Sequence, residues 1–393
     1  MKDIKPADRV NCISEYYFSK KLKEVAALNA QGKNIISLGI GSPDMPPSEN
    51  TIEALKAEAE KRNTHGYQSY VGIPELRKAF AAWYKKWFGV ELNPDNEIQP
   101  LIGSKEGILH VSMTFLNKGD GVLVPNPGYP TYLSVSRLLE ADVKIYDLDE
   151  NNGWQPDFEK LEAMDLSNVK LMWVNYPNMP TGTPATKELF KKLVDFGKRH
   201  GIIICNDNPY SFICNEGEKL SLLATEGAKD ICIEMNSMSK SHNMAGWRMA
   251  MLASNKQFIE WILRVKSNVD SGMFSPLQIA AAEALLNNDE EWHKQYNVEL
   301  YKRRRVLANK ILDTLGCTYS KNQIGMFAWG KIPEKYASSA ELADDVLYNA
   351  NVFITPGFIF GSNGERYVRI SLCCTEEKLE EALERIKNRN NGL

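Results

Sequence analysis

Two serines, a lysine and an arginine stand at a spacing that suggests chemistry: Ser237-Met-Ser239-Lys240, then Arg248 eight residues on. The lysine is an amine nucleophile, and the serines and the arginine are groups that hold an anion. Upstream, Asp207 and Tyr210 place a carboxylate and a phenol three residues apart. Gly103-Ser104-Lys105-Glu106-Gly107 lies between a β-rich run and a helical pattern, where free backbone N–H groups at a helix start would face an anion. It has neither the lysine spacing of a P-loop nor the GxGxxG pattern. Tyr129 within Pro127-Gly-Tyr-Pro130, and Asn175 at the head of Asn175-Tyr-Pro-Asn-Met-Pro-Thr-Gly182, complete the set.

Taken singly, each residue has an ordinary reading. Lys240 would be a surface lysine, Asp207 a turn cap, Tyr129 and Tyr210 core aromatics, and Arg248 and Arg369 ion-pair partners. Their shared position carries more weight, because these segments follow directly after predicted strands. Strands are expected at Ile98–Ile102, Val122–Val124, Val143–Tyr146, Val169–Val174, Ile202–Cys205, Ile231–Met235 and Met249–Ala253, short β-rich runs bounded by turn signals. Helical patterns separate several of them. The clearest is Lys187–Arg199, with basic residues in its last turn and a stop at Gly201. This alternation predicts an α/β fold whose large domain holds a mostly parallel seven-stranded sheet flanked by helices, with one antiparallel member suggested by the closeness of the last two runs. In such a sheet the carboxyl ends of the strands form the ligand crevice, so the chemically active segments should converge there.

From Glu290 the pattern changes to a long charged helix, short strands near Phe327–Trp329 and Tyr367–Ile370, and a terminal helix of about Glu376–Lys387. A smaller α+β domain built from both chain termini is expected: residues 1–45 and 286–393, with 46–285 as the large cofactor-binding domain. The predicted helix Ser19–Gln31 would pack with the C-terminal part. Acidic residues flank the run Lys302-Arg303-Arg304-Arg305, which therefore reads as a solvated helix face rather than a nucleic-acid patch.

Bulk properties agree. At 393 residues and 43% hydrophobic content the chain exceeds one compact hydrophobic unit. A net charge of −3 with both signs interspersed gives no footprint for nucleic acid or an anionic membrane. The first residues hold no apolar run of signal-peptide length, and nowhere does an apolar run reach bilayer length, so a cytoplasmic protein is expected. Seven scattered cysteines without a CxxC pair, and five dispersed histidines, suggest reduced thiols and no metal site.

The Ser237-x-Ser-Lys240 and Arg248 pattern resembles that of the class I/II aminotransferases, in the fold-type I pyridoxal phosphate-dependent superfamily. Further motifs in the family's order extend the resemblance over nearly the whole chain: Leu38-Gly-Ile-Gly41-Ser-Pro-Asp44, Tyr67 before Gly72-Ile-Pro-Glu-Leu-Arg77, the Gly103 turn, Tyr129, the Pro-Thr-Gly segment, Asp207-x-x-Tyr210, Pro356-Gly357 and Tyr367-Val-Arg369-Ile-Ser371. The resemblance implies pyridoxal 5'-phosphate carried by Lys240 as a Schiff base, and ping-pong transfer of an amino group between an L-amino acid and a 2-oxo acid. It implies Asp207 against the cofactor's ring nitrogen, Tyr210 on its phenolic oxygen and Tyr129 stacked on its ring. Ser104 and Lys105 amides with Ser237, Ser239 and Arg248 would hold the phosphate, and Asn175 belongs to the cofactor-binding set. Arg369 would bind the substrate carboxylate with help from a Gly41 N–H, and Tyr67 would reach the phosphate of a second subunit in a homodimer.

Carbon–sulfur lyases and other lyases of this fold use the same constellation. A cofactor-sensing regulator would need an added DNA-binding segment that the chain lacks. Lys266-Ser-Asn-Val-Asp-Ser-Gly-Met-Phe-Ser-Pro-Leu-Gln278 resembles a stretch that approaches the partner's pocket in relatives acting on diaminopimelate or alanine, which makes a diaminopimelate-type donor one expectation. One departure stands out: Met179 precedes Pro180-Thr-Gly182 where the family has an asparagine that donates to the cofactor's phenolic oxygen, and a thioether cannot donate. The lysine-bound cofactor is therefore expected to hold its proton to higher pH than in relatives with both donors.

Overall fold

The computed structural model describes residues 4–13 and 17–389. Its centre is a seven-stranded sheet in the order β2-β8-β7-β6-β5-β3-β4. The strands are β2 (Ile98–Leu101), β3 (Gly121–Asn126), β4 (Asp142–Asp147), β5 (Val169–Val174), β6 (Ile203–Asp207), β7 (Cys232–Ser237) and β8 (Ala250–Ala253). All seven fall on the runs expected from sequence. The antiparallel member is β8, which runs against both β7 and β2. Strands β2, β3, β6, β7 and β8 are buried at every position, which is why they read as apolar runs without alternation. Edge strand β4 is buried only at Tyr146.

Helices cover the two faces. The helix Lys187–His200 is capped by the Thr186 hydroxyl, which accepts from the Leu189 N–H (3.1 Å), and it ends at Gly201 with φ 66°. That left-handed angle suits a residue without a Cβ. The helix Ser104–Phe115 starts directly after β2 at Gly103.

The C-terminal part carries an antiparallel sheet of β11 (Thr355–Pro356), β12 (Tyr367–Ser371) and β9 (Phe327–Lys331), with Arg369 opposite both Thr355 and Trp329. The N-terminal segment joins it: β1 (Ile36–Ser37) pairs parallel with β10 (Val352–Phe353). The helix Tyr17–Ala30 packs Val25 against Leu347 and Phe353. The long helical stretch from Glu290 includes a π-helical segment, Lys294–Glu299, before Leu300–Thr314.

The basic run on that last helix corrects the solvated-face expectation. Arg304 and Arg305 are buried. Arg304 grips both carboxylate oxygens of Asp44 (2.7 and 2.8 Å) and donates to the Leu372 carbonyl (3.1 Å). Arg305 donates to the carbonyls of Phe327 (3.0 Å) and Gly325 (2.6 Å). Acidic neighbours in sequence gave no sign of this, because the partner Asp44 lies 260 residues away.

A second buried charge sits under the start of the helix Ser104–Phe115. Lys266 is 1% exposed and donates to Glu106 (2.7 Å) and Asp270 (2.6 Å), while His110 lies 2.7 Å from the same Glu106 oxygen. The other Glu106 oxygen accepts from the Ile102 N–H, so the ammonium bridges Glu106 and Asp270 and fixes the first turn of the helix. Breaking a buried pair strands its partners. Lys266→Met is therefore expected to lower the unfolding free energy by about 3 kcal/mol in denaturant titrations at fixed protein concentration. Adding Glu106→Gln and Asp270→Asn should recover part of the loss. A single mutant as stable as the wild type would show that these charges are not coupled.

Candidate active site

At the carboxyl edge of the large sheet lies a cavity of about 370 Å³. The strands deliver its polar residues. Asp207 ends β6, Asn175 follows β5, Tyr129 lies beyond β3, and Ser237 ends β7 and leads into the one-turn helix Met238–Ser241 that carries Lys240. Parallel strands joined by crossovers all finish at one edge, so residues more than a hundred positions apart meet there. Ser104, Lys105, Gly41, Tyr210, Ser239, Arg248 and Arg369 also line the cavity. Of the residues expected from sequence, Tyr67 alone stands apart, 96% exposed and outside the lining.

Asp207 is buried and sits against Tyr132, whose hydroxyl donates to Oδ2 at 3.1 Å. Its other oxygen, Oδ1, is buried and has no hydrogen-bond partner among the described residues. Burial pushes the Asp207 carboxyl up to about 7, against the lowering influence of Tyr132 and Lys240. Such an orphan acceptor is the feature a ring N–H would satisfy, and a cationic ring nitrogen would bring the carboxyl back to its charged form. Tyr132 was missed by sequence reasoning. It lies three residues after Tyr129 and stacks on Trp173 with centroids 5.1 Å apart, so it reads as a core aromatic until the fold brings its hydroxyl to Asp207.

Lys240 lines the same cavity. Its ammonium donates to the Gly41 carbonyl, and burial lowers its pKa, opposed by Cys373. Lowering favours the neutral amine that a nucleophile must present. Around it the anion cradle is tight. A Cβ built on Gly103, at φ 80°, would come within 1.9 Å of Arg248 Nη2, so only a glycine lets the arginine lie against the helix start. Arg248 donates to the Ala245 carbonyl (2.8 Å) and to Ser239 Oγ (3.5 Å), and the Ser237 hydroxyl caps the lysine's own turn by accepting from the Ser239 N–H (3.2 Å). Orphan carboxylate oxygen, buried amine and glycine-backed arginine together fit pyridoxal phosphate.

Arg369 faces the cavity from β12. Nη2 donates to the Gly39 carbonyl (2.9 Å) and Nη1 to the thioether of Met179 (3.3 Å). The guanidinium carbon lies 3.8 Å from the Phe327 ring centroid and 4.7 Å from that of Phe360. The family's asparagine position thus holds a sulfur that accepts from the arginine. Asn178, the nearest residue able to compensate, donates to the Asn175 carbonyl (3.1 Å) and accepts from the Thr181 hydroxyl (2.8 Å). Asn175 in turn donates to the Asp207 carbonyl and accepts from the Met179 N–H (2.8 Å), an arrangement that supports Asp207 from behind.

The Asp207 carboxyl gives a pH dependence whose sign is fixed. In the folded, cofactor-free protein it holds its proton up to about 7, whereas in the unfolded chain it loses it near the ordinary 3.8. The folded state therefore binds the extra proton between these values, and the stability this group contributes is full below the lower one and is lost as pH rises to the upper. The wild-type minus Asp207→Asn difference in melting temperature of the cofactor-free proteins should fall from about pH 4 to about pH 7 and then level off. A difference independent of pH would contradict it.

Comparisons with known proteins agree with this geometry. The profile of the family "Aminotransferase class I and II" matches residues 33–386. An LL-diaminopimelate aminotransferase of Dehalococcoides mccartyi is 40% identical over 386 residues, covering 98% of this chain and 99% of that protein. One from Aquifex aeolicus is 41% identical over 383 residues, covering 97% and 98%. Among solved structures, substrate-bound BacF from Bacillus subtilis superposes with a TM-score of 0.93 at 37% identity over 99% of this chain and 98% of that one. A Thermus thermophilus aspartate aminotransferase mutant gives 0.91 at 26% identity over 98% and 100%. With a profile spanning most of its length and relatives at 40% identity over nearly all of it, the chain belongs to the class I and II aminotransferases, enzymes that use pyridoxal phosphate to exchange an amino group between an amino acid and a 2-oxo acid.

Proposed function

We propose that in this aminotransferase Lys240 is the covalent and acid–base residue, Asp207 the electrostatic partner of the cofactor ring and Arg369 the clamp on the substrate carboxylate. The observation that carries the assignment is the meeting, in one cavity, of the buried Lys240 amine, the unpartnered Asp207 oxygen and Arg369. Bound pyridoxal phosphate supplies a carbon that accepts the amino group and a ring that delocalises the electron pair left at the substrate α-carbon.

The protein's part is placement. Arg369 presents a planar fork to the α-carboxylate, and its position is set by Gly39, Met179 and the Phe327 and Phe360 rings. That would set the α-C–H near Lys240 Nζ, which would take the proton and deliver it to the carbon that receives the amino group. Asp207 would hold the ring N–H at Oδ1, its Oδ2 being tied to Tyr132. Tyr210 would donate to the phenolic oxygen, Tyr129 would cover a ring face, Asn175 supports Asp207 through its carbonyl, and the Ser104 and Lys105 amides with Ser237, Ser239 and Arg248 would hold the phosphate.

The second part of the proposal is a homodimer in which Tyr67 of each subunit reaches the phosphate held beside Lys240 in the other. Tyr67 is 96% exposed, and Tyr70, Val269 and Phe274 are exposed beside it. The turn at Gly272 lies against the backbone of Gln68 and Ser69, and the His65 and Phe274 rings are 5.8 Å apart. A contiguous apolar edge of this kind calls for a covering surface. A cytoplasmic location accords with seven unpaired cysteines and with the lack, among the described residues, of a helix long and apolar enough to cross a membrane.

Lys240→Ala should keep measurable cofactor affinity through the phosphate cradle, lose the visible absorbance of lysine-bound cofactor and lose turnover by about four orders of magnitude. Near-normal turnover with that absorbance intact would remove the central assignment. For the dimer, mixing Tyr67→Ala with Lys240→Ala chains creates hybrids in which one of the two sites has both residues. Activity should rise on mixing above either parent. Confirmed subunit exchange without recovery would place both residues in the same subunit's site.

A further inference from the structure

Resting on the aminotransferase reading, we infer that the substrate side chain enters an apolar subsite built by Phe18, Leu22, Ile40, Met179, Phe327 and Phe360, so that the preferred donor has an uncharged aromatic or large aliphatic side chain rather than a second charged head.

Two fixed points locate the subsite. Arg369 Nη2 binds the Gly39 carbonyl and Lys240 Nζ binds the Gly41 carbonyl, so the α-carboxylate and the α-carbon of a bound amino acid lie along the Gly39–Gly41 stretch. Ile40 is the residue between them, half-exposed into the opening of the cavity. The direction left for the side chain runs past Ile40 towards the helix Tyr17–Ala30, which turns Phe18 and Leu22, four residues apart and hence on one helix face, into the cavity. Phe18 lies 5.6 Å from the Arg369 guanidinium carbon, next to the Phe327 and Phe360 rings that sandwich it.

The charges of the same helix are engaged elsewhere. Lys21 binds Asp344 (2.9 Å) and Glu24 (3.0 Å), and neither Lys21 nor Glu24 lines the cavity. Among the described residues, the charged groups in the lining are Lys105, Asp207, Lys240, Arg248 and Arg369. Lys105 and Arg248 cluster at the Gly103 end with the phosphate cradle, and the other three serve the reaction itself. A donor such as LL-diaminopimelate, for which several relatives are named, carries a distal ammonium and carboxylate that would lose their water against three phenyl rings and a thioether, where no described residue of this subunit's lining offers them a free charge. Unpaired charge in such surroundings is strongly disfavoured, whereas rings and alkyl chains gain by the same contact. Met179 contributes directly, since a thioether there replaces a polar amide with a group that packs well against rings.

The test uses the holoenzyme and two readouts. Single half-reactions should give phenylalanine, methionine or leucine a kcat/KM about 100-fold above that of LL-diaminopimelate. Unreactive carboxylates report the subsite without turnover: 3-phenylpropionate should bind at least about 10-fold more tightly than pimelate by calorimetry. Leu22→Arg should move both ratios towards the dicarboxylate by about 10-fold. The inference is overturned if LL-diaminopimelate is the best donor and pimelate the tighter ligand, or if Leu22→Arg leaves both ratios unchanged. Should no amino acid be converted, the aminotransferase reading fails, and the two carboxylates still decide the character of the subsite.

Discussion

A carboxylate buried at the end of the central strand is the constraint around which this protein is arranged. Asp207 ends β6, the middle strand of the seven, and burial alone would keep its proton on to near neutral pH. Every neighbour bears on that charge. Tyr132 satisfies one oxygen, Asn175 holds the backbone carbonyl, and the second oxygen is left for a ring nitrogen. A cationic ring nitrogen at that oxygen would restore the charge, and in the proposed assignment this ties cofactor binding to the electrostatics of the reaction.

The opposite wall of the cavity comes from the segment that follows β1. Residues Leu38–Gly41 run from β1 past Arg369 and Ser371 to Lys240: Ser371 N–H donates to the Leu38 carbonyl (2.7 Å), Ser371 Oγ to Ile40 (2.6 Å), Arg369 to Gly39 and Lys240 to Gly41. Both glycines are sterically required, since a Cβ on Gly39 or Gly41 would come within 2.4 Å of Phe353 or Phe327. Arg304 anchors the segment's far end through Asp44, and Arg305 holds the backbone of Phe327. Two arginines that never touch the cavity thus set the height of its floor and the place of the ring that packs on Arg369.

The N-terminal helix gives this site its individuality. Phe18 is shared between the small apolar cluster with Val25, Leu347 and Phe353 and the cavity wall, so the contact that docks the helix also shapes the substrate's surroundings. With Met179 in the position where the family carries an amide, Arg369 is set among rings and sulfur. Low polarity there would strengthen an ion pair with a bound carboxylate.

Much of this was legible in the sequence, for a physical reason. Five of the seven strands are buried at every position and so announce themselves as apolar runs, and helix caps such as Thr186 and Gly201 are local. The parallel topology then forces the strand ends, and with them Tyr129, Asn175, Asp207 and Lys240, to one edge. What sequence could not show depends on contacts between distant residues. Tyr132 looks like any core tyrosine until β6 brings Asp207 to it, and Lys302-Arg303-Arg304-Arg305 looks like a solvated face until Asp44 and the carbonyls of Gly325 and Phe327 arrive from elsewhere in the chain. The chemistry at the sheet edge was fixed by residue types and their spacing, while the polarity of the substrate's pocket was decided by tertiary packing, because Phe18, Met179, Phe327 and Phe360 come from four separated segments that only folding brings around Arg369.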